Sequence, residues 1–277
     1  MLGFICPVCG KPLWDVGASL RCPDGHSYDK AKKGYVNLLM SNTSAKKRHG
    51  DDRLMVASRR DFLNKGYFSP LLNGICRMAE NYTPPCAVSL LDAGCGEGYY
   101  TAGVKDALER AGLTVDAFGL DISRDALSEA HRRDSAIHLA VAGINRLPVP
   151  EGECDILLNI FAPHFPMEFA RVLSPRGILI RVVPLERHLF GLKAQIYDKP
   201  YENSVPPPDM PPLHLIETQV ITYQLTLNDS ADILSLFKMT PYYYKTSAFD
   251  QAKLLALDHL ETELEFGIWV YAVPPQV

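Results

Sequence analysis

The sequence predicts a doubly wound α/β fold, a mostly parallel sheet with helices on both faces, preceded by a small N-terminal metal-binding domain. Three observations carry this. From residue 88 onward, short apolar runs alternate with helical patterns. The first of those runs opens into a glycine-rich turn, and before residue 27 three cysteines cluster with a histidine.

The N-terminal segment FICPVCGKPLWDVGASLRCPDGHSYD places Cys6 and Cys9 two residues apart, then, after twelve residues, Cys22 and His26 three apart. Thiolate and imidazole ligands at this spacing suit one tetrahedral zinc ion, and four protein ligands leave no open position, so the metal is structural. Each pair sits on a tight turn, and Gly17 marks a hairpin between them, flanked by Trp14 and Leu20. From Lys30 to Asp52 the chain is basic and polar, with Tyr35 as its aromatic, and reads as a linker and contact surface. Asp51 or Asp52 then caps a first helix, and a second follows Pro70. Between them the turn GYFSP places Tyr67 and Phe68 beside the glycine loop if the helix packs over it.

Strands are placed near 88–92, 115–120, 136–141, 154–159 and 177–183, with helices near 98–112, 123–133, 165–173 and 186–197. Six prolines between 200 and 212 exclude regular structure there. HLIETQVITYQLTLN and TELEFGIWVYAV supply a final antiparallel pair around a helix near 230–238, and MTPYYYK is an aromatic loop suited to line a nucleotide pocket.

The stretch VSLLDAGCGEGYYT organises the chain. Gly94, Gly96 and Gly98 fall where backbone must approach a ligand closely and where the first N–H groups of a helix face outward. The spacing G-x-G-x-G differs from the dinucleotide fingerprint, and Asp92 and Glu97 flank the loop with negative charge that opposes a diphosphate. A cationic ligand fits better. In AFGLDIS, Asp121 ends the next strand 29 residues after Asp92, with Ile122 following, where a carboxylate can accept from ribose hydroxyls. This pattern resembles the S-adenosylmethionine fold of class I methyltransferases. Farther on, Asn159 to Pro163 and His188 leave the same sheet edge, where Phe161 or Phe165 can stack on a base.

At 277 residues and 47% hydrophobic composition the chain can bury one large core and a small appendage. No apolar run approaches the roughly 20 residues of a membrane span, and no signal peptide pattern begins the sequence. A soluble, cytoplasmic protein is expected. Residues 1–60 carry 11 Lys and Arg against 5 Asp and Glu, leaving an acidic body, so the first segment is suited to a polyanion such as RNA.

With these residues in view, the chain resembles the 23S ribosomal RNA (guanine-N1)-methyltransferase family. The resemblance lies in the zinc pattern, KKGYVNLL, LDAGCGEGYYT with FGLDIS, IFAP, ARVLSPRG, RHL at 187–189 and MTPYYY. It implies methylation of N1 of a guanine in a 23S rRNA hairpin loop, S-adenosylmethionine as donor, and a homodimer whose zinc modules help form an RNA cleft. It also implies cofactor contacts at Gly96, Glu97 and His188. A family tyrosine falls on Phe68, which keeps the stacking face and loses the hydroxyl; neighbouring Tyr67 is the substitute. The domains expected are 1–40 (zinc module), 41–85 (basic linker and helical connector) and 86–277 (methyltransferase). Two other functions fit parts of the sequence: a noncatalytic RNA-binding or assembly factor with a relict cofactor fold, and a small-molecule methyltransferase. No general base is assigned; a carboxylate, His164, His188 or solvent can take the guanine proton.

Overall fold

A computed structural model describes residues 2–40, 50–83 and 87–274. The chain opens with a three-stranded antiparallel sheet of β1 (Trp14–Asp15), β2 (Ser19–Arg21) and β3 (Ser27–Asp29), the hairpin turn falling at Gly17. β4 (Tyr35–Asn37) is then added to the edge of the large sheet, parallel to β7. The stretch read as linker thus begins with a strand, and Tyr35 packs against the core. Three residues are too few to signal a strand by alternation; the exposed edge of β7 supplies the backbone partners. The basic cluster Lys46, Lys47 and Arg48 lies outside the described residues.

Helices α1 (Arg53–Asn64) and α2 (Ser69–Tyr82) lead into the body. Asp52 caps α1 by accepting from the Met55 amide at 3.0 Å, and Pro70 starts α2, where a missing N–H costs nothing. On α2, Leu71, Ile75, Met78 and Ala79 recur on one face and are buried against the sheet. There follow β5 (Val88–Ala93), α3 (Tyr99–Arg110), β6 (Val115–Asp121), α4 (Arg124–Arg133), β7 (His138–Val141), β8 (Cys154–Ile160), α5 (Pro166–Val172), β9 (Leu173–Pro184) and α6 (Phe190–Ile196). The chain ends with β10 (His214–Leu227), α7 (Ser230–Lys238), a 3-10 turn at Tyr243–Lys245, α8 (Ala248–Leu255) and β11 (Leu260–Ala272).

The eight-stranded sheet runs β10-β11-β9-β8-β5-β6-β7-β4, with β10 and β11 antiparallel to the rest. β5 is buried along its whole length, between β6 and β8. Because the chain winds from β5 towards β7 on one side and from β8 towards β9 on the other, a crevice opens at the carboxyl ends of β5 and β8. Two elements differ from expectation. α6 starts four residues late, after a turn at 186–189, and α8 falls where no element was placed, with Ser247 capping it by accepting from the Asp250 amide.

The N-terminal Cys/His module is packed onto one face of the sheet. Phe4 meets Phe118 edge-on at 5.3 Å, and Cys6, Cys22, Val36 and Leu38 share an apolar cluster with Leu91, Ala93 and Leu120. Each fully buried Leu or Val there contributes about 1.5–3 kcal/mol.

Candidate active site

β5 delivers Asp92 to the sheet edge, where it is 1% exposed. One carboxylate oxygen accepts from Thr101 Oγ1 at 2.6 Å; the other, Oδ1, is buried with no donor. Burial, opposed by the Thr101 hydrogen bond and aided by the charges of Asp121 and Glu97, pushes this carboxyl up to about 7. At the end of β6, Asp121 laces two loops together. Its oxygens accept from the Gly96 amide at 2.9 Å and the Ser123 amide at 2.7 Å, which leaves each oxygen a lone pair. Burial raises its acidity range above the ordinary one, as it does for Glu97, which faces Arg133 at 3.4 Å.

The glycines have separate reasons. Gly94 adopts φ +99°, and a Cβ there would stand 2.8 Å from the Ala162 methyl of the β8 loop. Gly98 is left-handed at φ +79° as the cap of α3, and a Cβ would press within 3.2 Å of Ala130 on α4. Only a residue without a side chain lets the loop after β8 and the C-terminal half of α4 pack this close to the glycine turn.

These loops bound a cavity of about 820 Å³. Asp92, Gly94, Gly96, Glu97, Asp121, Ile122, Phe68 and His188 all line it. Gly98 stands behind the wall as a helix cap, and Tyr67 turns elsewhere. Its hydroxyl donates to Asp232 at 2.7 Å, an acid that also pairs with Lys65, and its ring packs on Phe62. The substitution of Tyr67 for the lost hydroxyl at Phe68 is therefore corrected: adjacent residues of the turn point apart, and Asp232 captures Tyr67. Phe68 alone reaches the cavity, held edge-on to Phe266 at 5.2 Å.

His188 is buried, its ring 4.6 Å from Phe266, with Nδ1 unpartnered. Burial and the nearby Lys193 charge lower it to about 3, so the ring is neutral across the working pH range. His164 is exposed on the loop after β8 and accepts from Arg181 Nη2 at 3.1 Å through Nδ1. The neutral ring then keeps its proton on Nε2, and its free lone pair is already used. Phe161, at φ +53°, and Phe165 line the same side, and Met239 to Tyr242 supply the opposite wall, as the aromatic loop suggested.

Sequence reasoning missed two cavity cations. Arg59 was counted only as basic surface; it pairs with Asp51, donates to the Met239 carbonyl at 3.2 Å, and lies one turn from Met55, which lines the cavity too. That i, i+4 relation to a capped helix start was the available signal. Arg181 hides within the apolar run ILIRVV, where nothing marks it as ligand-facing. The lining holds four carboxylates, Asp51, Asp92, Glu97 and Asp121, against these two guanidiniums, so the cavity favours a cation.

The second cluster is the N-terminal one. The ligand atoms of Cys6, Cys9, Cys22 and His26 lie within 4.8 Å of one another, with Cys9 and Cys22 sulfurs 3.6 Å apart and Cys22 Sγ 3.3 Å from His26 Nδ1. Tetrahedral bonds of about 2.3 Å put sulfurs about 3.8 Å apart, so the four converge on a point sized for zinc. The Tyr28 hydroxyl donates to Cys6 Sγ at 3.2 Å and fixes that thiolate from outside.

The sheet order, the glycine loop and the acidic cavity define a class I methyltransferase. Residues 90–177 match the family model of a methyltransferase domain, and residues 4–47 match the one described as RlmA, N-terminal. A solved structure from Anaeromyxobacter dehalogenans, provisionally assigned as a type II methyltransferase, shares the fold at a TM-score of 0.50 with 17% identity, over 73% of this chain and 97% of that one. Among named relatives, a Micromonospora griseorubida protein provisionally named 23S rRNA (guanine-N(1)-)-methyltransferase is 38% identical over 205 residues, 68% of this chain and 67% of the relative. The 23S rRNA (guanine(748)-N(1))-methyltransferase of Streptomyces fradiae is 38% identical over 192 residues, 68% of this chain and 65% of the relative. A Bacillus subtilis protein with a provisional name of the same kind is 32% identical over 197 residues, 70% of this chain and 68% of the relative. The chain belongs to the 23S rRNA (guanine-N1)-methyltransferase family.

Proposed function

We propose that this protein methylates N1 of a guanine in a 23S rRNA hairpin loop, with S-adenosylmethionine as the donor. The observation that supports it most is the enclosed Asp92 Oδ1, unsatisfied at the end of β5 in a cavity richer in carboxylates than in cations. A buried acceptor without a donor is costly, and a ligand carrying an ammonium and a sulfonium supplies what the site lacks.

Bound there, S-adenosylmethionine supplies an electrophilic methyl group on a positively charged sulfur. Asp92 and Glu97 face its cationic amino acid portion, and Asp121 accepts from the ribose hydroxyls with the lone pairs its two backbone donors leave free. Gly94 and Gly96 allow the backbone to approach, and Ile122, Phe68 and neutral His188 form the uncharged wall against the nucleoside. Methyl transfer is an in-line displacement, so these residues act by holding donor and acceptor in line and excluding water. Phe161 and Phe165, at the mouth, offer ring faces to an unstacked guanine.

Cys6, Cys9, Cys22 and His26 hold one structural zinc ion, and the basic N-terminal segment meets the RNA backbone. The domain division at residues 40 and 85 and a homodimer belong to the same proposal; sedimentation of the purified chain as a monomer would remove the dimer. The test of activity is mass mapping of 23S rRNA after incubation with the protein and S-adenosylmethionine. One added methyl at a loop guanine, blocking its Watson–Crick edge to primer extension, is expected. Unmodified RNA with no donor binding by calorimetry would point instead to the RNA-binding factor, and unmodified RNA with donor binding to a small-molecule acceptor.

A further inference from the structure

Of the two guanidiniums lining the cavity, Arg59 faces Asp51, whereas Arg181 has no carboxylate partner among the described residues. Arg181 is 5% exposed. An enclosed cation with no anion opposite is expensive, and burial holds Arg181 below the ordinary arginine range. Its surroundings orient it without neutralising it. Nη2 donates to His164 Nδ1 at 3.1 Å, the guanidinium carbon stands 5.5 Å from the Trp269 ring centre, and Nε has no acceptor. The titratable groups near it are His164 from the β8 loop and Tyr271 from β11. The parallel register of β8 and β9 sets Arg181 beside Asn159, just ahead of the Phe161 turn, on the side of the cavity away from Asp121.

We infer that, within the function proposed above, Arg181 is a catalytic residue: its guanidinium receives O6 of the target guanine and stabilises the negative charge that moves there as N1 loses its proton. In that step the N1–H bond breaks and its proton passes to water. The N1 electron pair forms the bond to the methyl carbon, and the carbon–sulfur bond breaks with its pair left on a neutral sulfur. Charge at N1 is shared with O6 through the ring amide, so a fixed cation aimed at O6 lowers the barrier most where water is excluded. His164 is a positioning residue that holds the guanidinium by one N–H, and the Tyr271 hydroxyl meets it from β11, so only the remaining N–H groups are offered to the base. Arginine suits a purine O6 by the same geometry it uses on guanine edges elsewhere.

The test measures single-turnover methylation of a 23S rRNA hairpin across pH 6 to 9.5 for wild type, Arg181→Gln, His164→Ala and His164→Asn, with S-adenosylmethionine affinity read by calorimetry. Arg181→Gln should lose about 10²–10³-fold in rate near neutral pH. Its loss should shrink as pH rises, the plateau moving to higher pH, with donor affinity within about twofold of wild type. His164→Ala should show a smaller loss of the same kind, part of which His164→Asn recovers by restoring an acceptor. Both His164 variants change an exposed residue, so they report even if Arg181→Gln fails to fold. An unmoved pH profile in every variant, or a loss confined to RNA affinity as for a phosphate contact, would overturn the role of Arg181 alone. Wild type that methylates no guanine would overturn the proposed function and this role with it.

Discussion

Asp92 sits with one oxygen held by Thr101 and one held by nothing, and burial has pushed its carboxyl up to about 7. The proton is bound more tightly in the folded state than in the unfolded one. The stability this contributes is therefore complete below the ordinary carboxylate range and is lost as pH rises through about 7. Asp92→Asn should raise the melting temperature of the ligand-free protein relative to wild type, and more at pH 8 than at pH 5. The sign reverses for binding, because a cationic ligand needs the ionised acid. Donor affinity should rise between pH 6 and 8 in wild type and lose most of that slope in Asp92→Asn, which should bind about 10- to 100-fold more weakly at pH 8. Calorimetric titration at both pH values checks this; equal affinities for the two proteins would show that Asp92 does not meet the ligand.

α6 shows how an element is positioned by distant chain. It has seven residues, Leu189 gives it no side-chain cap, and its first N–H groups are satisfied from β11. Leu189 N–H donates to the Glu263 carbonyl at 2.7 Å, Gly191 N–H to the Glu263 carboxylate at 3.1 Å, and Leu192 N–H to Thr262 Oγ1 at 3.2 Å. This contact requires Gly191, since a Cβ there would stand 2.2 Å from the Glu261 carbonyl oxygen. Gly191→Ala should cost about 1–3 kcal/mol by forcing the helix off the strand, which lowers the melting temperature by about 2–4 °C per kcal/mol. Because His188 enters the cavity from the turn before α6, donor affinity should fall as well. A melt and a titration read both, and an unchanged melting temperature would mean that the helix yields freely.

At the scale of the molecule, the N-terminal Cys/His module is not a loosely tethered appendage. β4 extends the large sheet, the Ile5 amide donates to the Pro148 carbonyl at 2.8 Å, and Cys6 and Cys22 share a core with β5 and β6. Cys22→Ser or chelation should therefore shift the melting of the whole chain downward by several degrees in one transition. RNA affinity should fall more than donor affinity, since the acidic cavity is built from other elements. Scanning calorimetry with metal analysis checks this; a second, unshifted transition for the body would show the two parts to be thermally independent. Among the described residues no helix is long and apolar enough to cross a membrane.

The sheet, its glycine loop and the Cys/His cluster were legible because their signals are local. Short apolar runs fix β5, β6 and β8, a turn that only glycine tolerates marks Gly94 to Gly98, and the four Cys and His side chains sit on two short turns. Asp92 and Asp121 were readable for the same reason, each ending its strand. Arg59, Arg181, the capture of Tyr67 by Asp232 and the seating of α6 were not. Each depends on a partner far along the chain, Met239, Trp269, Asp232 or Glu263, and on which way a side chain turns once the core closes. The linear sequence sets the chemistry available at the sheet edge through short-range constraints on backbone and pattern. Tertiary packing decided which charges are neutralised there and which are left facing the cavity, because burial and long-range pairing exist only after the chain has folded.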